Sequence, residues 1–226
     1  MDNSKRLFMK RAGQSSAMLM LFAYGGGKLF ASNNPIALKT KWDGLLLKDQ
    51  KALFDLPKDF SYKVIMSTGD VMTDGLKYGG RPDGMGAFEL KDGSVALVVN
   101  HETKSKDKNL ELSTSYNDSN GRPFSGGTST IVLESDGLTL KRANRSLSGT
   151  IYNCAGGTTP LNTWISCEET YKENHGYAFE VDPEADSLKG YKRLTHMGRF
   201  QREAVTVDLN DPNGSVYQTE DDYSGL

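Results

Sequence analysis

The stretch NCAGGTTPLNTWISCEET, residues 153–170, holds both cysteines of the chain, Cys154 and Cys167, together with the adjacent carboxylates Glu168 and Glu169. Thiolate sulfur and carboxylate oxygen are both metal ligands, and carboxylates that cannot move apart must protonate or take up a cation. Cys154 precedes Ala155-Gly156-Gly157, a backbone slim enough to approach a ligand closely. Along TWISCEE a strand sends Trp164, Ser166 and Glu168 to one face and Ile165, Cys167 and Glu169 to the other. Only one Glu of the pair can then reach a shared centre without a bulge, and either remains open. A Cys154–Cys167 disulfide is the alternative to a ligand role if the chain reaches an oxidising compartment.

Two other segments end in the same way. When SVALVVNHET (94–103), LNTWISCEET (161–170) and GSVYQTEDD (214–222) are aligned, Asn100, Cys167 and Thr219 coincide. His101, Glu168 and Glu220 follow, then Glu102, Glu169 and Asp221. An apolar strand running three times into acidic residues fits the blades of a β-propeller, whose equivalent strand ends converge near one axis. A cluster of oxygen ligands there suits calcium, and a thiolate among them adds affinity for a transition metal such as iron.

Other polar groups point less sharply. GRFQREAVTVD places Arg199, Arg202 and Glu203 ahead of a strand, and the planar arginine fork suits oxyanions. RPDGMGAFEL (81–90) reads as a glycine-rich turn, with Asp83 beside a glycine. His101, His175 and His196 share no zinc-site spacing, and neither a GxSxG elbow nor a P-loop occurs.

The elements that must carry these residues are strands. SYKVIMS, SVALVVN, TSTIVLES, LNTWISCEE, GYAFEVD, EAVTVDL and GSVYQTED are short, rich in β-branched and aromatic residues, and bounded by Gly, Asn-Gly or Asp-Pro signals. With 24 glycines, 37% hydrophobic and 25% charged residues in 226, the composition suits a water-soluble all-β chain, a sandwich or a propeller. A short helix is expected near 44–54, stopped by DLPKDF.

The head differs from the rest. Residues 1–31 carry Lys5, Arg6, Lys10, Arg11 and Lys28 against Asp2, a balance of +4 within a net charge of -2, which leaves -6 downstream. The acidic remainder excludes a nucleic-acid footprint. SKRLFMK followed by AMLMLFAYGGG and LFA reads as an export signal, too short and glycine-broken to span a bilayer. The expected organisation is therefore a signal at 1–31, a polar lead-in at 32–59 and blades over 60–226.

Taken with RPDGMGAF, NHE at 100–102, GGTSTIVL at 126–133, MGRFQREAV at 197–205 and VYQTEDD at 216–222, the opening stretch resembles the PhoX-type alkaline phosphatases, motif by motif in order. The head resembles a twin-arginine signal with Lys5-Arg6 in place of Arg-Arg. The resemblance implies a six-bladed propeller holding iron and calcium. It also implies hydrolysis of phosphate monoesters by a metal-bridging oxygen, in the periplasm or outside the cell. By resemblance Cys154 is the iron thiolate, and Glu168 or Glu169, Glu203, Glu220 and Asp221 are carboxylate ligands. Glu102 with Asn100 joins the calcium part, and Arg202 or Arg199 steadies the phosphate. Pro160-Leu161-Asn162 departs from the family's usual Trp-Gly turn.

Family members are about twice this length, so about half a propeller is expected here, completed by a C-terminal half or a second copy. As 226 residues alone the chain is expected to show no turnover. A non-catalytic scaffold and a calcium-dependent lactonase- or phytase-like propeller are the competing functions. The export expectation has a direct check: exchanging Lys5-Arg6 for Lys-Lys should trap the precursor in the cytoplasm, as read by cell fractionation. Undiminished secretion would exclude the twin-arginine route.

Overall fold

The structure, a computed structural model, describes residues 45–107, 110, 112–117, 123–212 and 214–224. The expected signal at 1–31 and the first part of the 32–59 lead-in lie outside the described residues. The chain divides into two compact units, Met1–Tyr62 and Lys63–Leu226.

In the first unit, β1 (Leu46–Leu47) pairs antiparallel with β2 (Leu56–Pro57). The helix expected near 44–54 is absent from the described residues. Asp49 instead accepts hydrogen bonds from the N–H groups of Lys51 at 3.1 Å and Leu53 at 2.8 Å, and from the Tyr62 hydroxyl at 2.5 Å. Such local side-chain bonds offer the backbone an alternative to the helical ladder.

The second unit is built from antiparallel meanders. Strands β3 (Pro82–Glu89), β4 (Val95–His101), β5 (Phe124–Leu133) and β6 (Leu140–Gly149) form one sheet in sequence order. A second consists of β7 (Asn153–Thr158), β8 (Trp164–Glu168), β9 (Ala178–Val181) and β10 (Lys192–Arg193), with a 3-10 turn at Thr195–Met197. Finally β11 (Arg202–Val207) pairs with β12 (Val216–Glu220). The three aligned acidic segments thus contain β4, β8 and β12, each the second strand of its sheet. No helix of the described residues is long and apolar enough to cross a membrane.

Alternation along the strands sets the packing. Ala96, Val98, Val132 and Leu147 of the first sheet meet Trp164, Phe179 and Val181 of the second in one buried cluster. Ile165, Cys167 and Ala178, on the opposite face of the second sheet, meet Val205 of β11. Each such aliphatic side chain contributes about 1.5–3 kcal/mol on burial. The outer face of the first sheet, with Val99, Ile131 and Leu133, is covered by Met72 and Tyr78. Ile65 and Met66 of SYKVIMS pack on that cover without strand pairing, so the strand expected there does not form. RPDGMGAFEL, read as a turn, is instead the eight-residue strand β3.

The first strands of the sheets lie side by side, β3 against β7 and β7 against β11. Glycine permits both approaches. A Cβ at Gly84 would sit 2.7 Å from the Ala155 Cα, and one at Gly157 would sit 2.0 Å from the Val205 carbonyl oxygen. The paired glycines expected to admit a ligand therefore admit neighbouring strands. Sheets that radiate from adjoining first strands are propeller blades rather than the layers of a sandwich. Gly157→Ala should accordingly cost about 3 kcal/mol or more in urea denaturation. An unchanged midpoint would mean that β7 and β11 do not touch.

Candidate metal centre

One backbone device recurs in all three blades. Pairing jumps from Pro82–His101 to Met85–Val99, from Asn153–Glu168 to Gly156–Ser166, and from Arg202–Glu220 to Val205–Gln218. Each jump places one extra residue on the first strand, a β-bulge that turns a side chain out of the regular alternation. The residue following each second strand then donates its N–H to the carbonyl of the residue preceding the first strand. These bonds run from Glu102 to Arg81 at 3.0 Å, Glu169 to Tyr152 at 2.9 Å and Asp221 to Gln201 at 3.2 Å. Arg81 (φ 48) and Tyr152 (φ 50) take the left-handed conformation that this closure imposes on them.

Two of these bulges and one strand end meet. Ligand atoms of Cys154, Glu169 and Glu203 all lie within 4.8 Å of one another. Cys154 is 3% exposed, and its thiol faces the carbonyls of Arg202 at 3.3 Å and Glu203 at 3.5 Å. Burial first, and then the charges of Glu203 and Glu169, push this thiol well above its ordinary value. Burial likewise raises the Glu169 carboxyl, reinforced by the charges of Glu203, Asp221 and Glu102. The Glu169 carboxylate thus stands among like charges from Glu203, Asp221 and Glu102, a setting that a bound cation would relieve. One sulfur among carboxylate oxygens fits the expected metals: the thiolate favours a transition metal such as iron, and the oxygens favour calcium.

Other residues singled out in the sequence have different neighbours. Glu168, fully buried, accepts from the N–H groups of Ile151 at 3.0 Å, Gly176 at 2.8 Å and Tyr177 at 3.1 Å, and lies 2.7 Å from His175 Nδ1. It faces the first blade while Glu169 faces the third, as alternation requires. Asn100 is also engaged on all sides. Its Nδ2 donates to the carbonyls of Cys154 at 3.0 Å and Ala155 at 2.7 Å, and its Oδ1 accepts from Trp164 Nε1 at 3.0 Å and Ser166 Oγ at 2.8 Å. These four bonds engage the whole amide and fix the backbone that presents the sulfur.

The arginines differ too. Arg202 is fully buried and donates to Gln218 Oε1 and to the carbonyls of Gly176, Met197 and Gly198. It ties β11 to its surroundings and offers no open face to a phosphate. Arg199 is exposed and donates to the carbonyls of Tyr171 and Lys172. Glu220 accepts from the Tyr171 hydroxyl at 2.6 Å. Both cysteines are free, so the disulfide alternative does not form. The Leu161-Asn162 departure lies before β8, at the opposite end of that strand from Glu169.

Comparison with known proteins gives the family and the fold. The family pattern described as alkaline phosphatase PhoX matches residues 43–145 and 135–226. The chain belongs to the PhoX alkaline phosphatase family. A solved structure of Pseudomonas fluorescens PhoX, in complex with vanadate, a transition state analogue, superposes with a TM-score of 0.55 at 17% identity. The match covers 74% of this chain and 46% of that one, and supports the PhoX propeller fold. No curated protein matches significantly.

The bulges and the partners of Asn100 and His175 are not apparent from hydropathy or residue spacing. Extending the threefold alignment to the preceding strands would have exposed the bulges: Arg81-Pro82-Asp83-Gly84, Tyr152-Asn153-Cys154-Ala155 and Gln201-Arg202-Glu203-Ala204 each place a ligand type before a small residue.

The two adjacent glutamates should respond oppositely to substitution. Glu168→Ala deprives two buried N–H groups and the part-buried one of Tyr177 of their acceptor, and a loss of about 3 kcal/mol or more is expected. Glu169→Gln should stabilise the metal-free chain at neutral pH by a few tenths of a kcal/mol, since solvent screens this half-buried carboxylate. Its folded pKa lies above the ordinary 4.5, so the stability linked to its proton is present below that value and is lost as pH rises. The gain should therefore vanish in urea titrations at about pH 4.

Proposed function

We propose that this chain supplies the iron-thiolate part of a metal-dependent phosphomonoesterase centre, as its membership of the PhoX family suggests. The observation that carries the reading is the meeting of the Cys154 sulfur with Glu169 and Glu203 oxygens within 4.8 Å. Iron belongs with Cys154, Glu169 and Glu203, and calcium with Glu102 and Asp221. When bound, such cations supply Lewis acidity and lower the pKa of water.

The chain's own residues prepare that chemistry. Cys154 gives up its proton on ligation, because the thiolate is the binding form. Asn100 fixes the carbonyl of Cys154 while Glu168 fixes the loop before it, which keeps sulfur and carboxylates in mutual reach. Arg199, held only by backbone carbonyls, is the arginine left to grip the phosphate of a monoester. Export to the periplasm or beyond through the Lys5-Arg6 signal belongs to the same reading. The chain spans 46% of the matched PhoX chain, so a C-terminal half or a second copy is the proposed partner in completing the centre.

Elemental analysis with an aryl phosphate assay tests the proposal. In the enzyme completed by its partner, Cys154→Ala should lose iron and at least about 100-fold in turnover, whereas Cys167→Ala should keep most of both. Calcium without iron in the wild type would favour a lactonase- or phytase-like propeller, and neither metal a scaffold. The 226 residues alone are expected to turn over no faster than their Glu169→Gln, Glu203→Gln double variant. Faster turnover would show that they form a working site unaided.

A further inference from the structure

We propose that Lys104, Lys106 and Lys172 form a cationic shelf beside the metal centre that takes a second anionic group of the substrate, an inference that rests on the phosphomonoesterase reading above. The segment after β4 lays the shelf. Past Glu102, the Thr103 carbonyl accepts the Tyr152 N–H at 2.9 Å, the Ser105 carbonyl accepts the Ser125 N–H at 2.8 Å, and Lys106 bridges to Phe124. The Tyr152 carbonyl in turn accepts the Glu169 N–H at 2.9 Å, and Cys154 follows Tyr152 by two residues. Tyr152 therefore joins the backbone of Lys104 and Lys106 to both second-blade members of the metal cluster. Lys104 Nζ stands 5.7 Å from the centroid of the Tyr152 ring.

Lys172 arrives from the second blade, three residues after Glu169. Its N–H donates to Thr170 Oγ1 at 3.1 Å, and its carbonyl accepts from Arg199 Nη2 at 2.6 Å. The arginine proposed to grip the reacting phosphate is thus bonded to the loop that carries the shelf. The ammonium groups of Lys106 and Lys172 lie 3.8 and 5.6 Å from the centroid of one ring, Phe124. That ring is 6% exposed and meets His175 edge-on, with centroids 5.1 Å apart, so the platform is rigid.

Two like charges from neighbouring blades rest here on one ring, and all three lysines are exposed. Among the described residues none of the three pairs with a carboxylate, whereas Lys91, Lys141, Lys189 and Lys192 all do. A phenyl ring attracts an exposed ammonium group only modestly and leaves N–H donors turned to solvent. An anion placed among them takes those donors and relieves the repulsion between like charges. The occupant is small, because the chain beyond residue 31 carries a balance of -6, which repels an extended polyanion such as nucleic acid or an anionic membrane. A monoester with a further phosphate or carboxylate supplies such an anion at the edge of the metal centre.

Kinetics with fructose bisphosphate against fructose monophosphate, which differ by one phosphate, test the proposal in the metal-loaded enzyme completed by its partner. The wild type is expected to show the higher kcat/KM for the bisphosphate. Lys106→Gln with Lys172→Gln should lower that ratio by about five- to tenfold, and Lys106→Arg with Lys172→Arg should restore it. An unchanged ratio would overturn the proposal. Weakened inhibition by inorganic phosphate in the glutamine variant would overturn it too, by assigning the lysines to the reacting phosphate, as would binding to anionic lipid vesicles lost in that variant. If the wild type turns over neither ester, the phosphomonoesterase reading fails by itself, and calorimetric titration of both esters into the metal-free full chain decides the shelf. Tighter binding of the bisphosphate, lost in the glutamine variant, would uphold it, and equal binding of the two esters would sink it.

Discussion

Like charges do not gather unless the backbone compels them, and here the compulsion is a β-bulge closed by one hydrogen bond. The bulge carries a side chain out of the pleat, and the bond from the following strand end holds a carboxylate beside it. Because the same device starts β3, β7 and β11, and these strands lie side by side, Cys154 and Glu169 of the second blade come within reach of Glu203 of the third. The glycines that let the strands approach are part of this constraint. Any bulk there would separate the blades and dissolve the cluster.

The surroundings offset what the cluster costs. Next to carboxylates that repel one another stand buried polar groups with many partners: Asn100 makes four hydrogen bonds, Arg202 donates to Gln218 Oε1 and three carbonyls, and Glu168 accepts from three N–H groups and meets His175. Satisfied networks of this kind are rigid, since moving any member exposes an unpaired group in a low-dielectric interior. Cys154, Glu169 and Glu203 are thereby positioned by their neighbours rather than by one another.

Much of this was legible in the sequence, and the gaps have physical causes. β4, β5, β8, β9, β11 and β12 announced themselves through β-branched and aromatic runs. β3 did not, because PDGMG carries turn residues that serve close packing instead. β6 did not, because LKRANRSLSG buries Asn144, Arg145 and Ser148 through specific partners that no hydropathy pattern reveals. The acidic strand ends were readable by alignment, and so was the divergence of Glu168 from Glu169. Which of those two belongs with the sulfur was not, since it depends on the blade each face meets. Asn100 looked like a ligand because an amide oxygen beside carboxylates has the right chemistry. Its four hydrogen-bond partners have no signature in the sequence.

The repeated frame separates scaffold from selectivity. Hydrogen bonding and strand register are the same in each blade, whereas the residue seated on the bulge is Asp, Cys or Glu. A duplicated module with one interchangeable position lets a lineage, or an engineer, exchange hard donors for soft ones blade by blade without renegotiating the folding of the ring. The chemistry presented at that position is a modular trait, open to drift and recombination while the strands around it stay fixed.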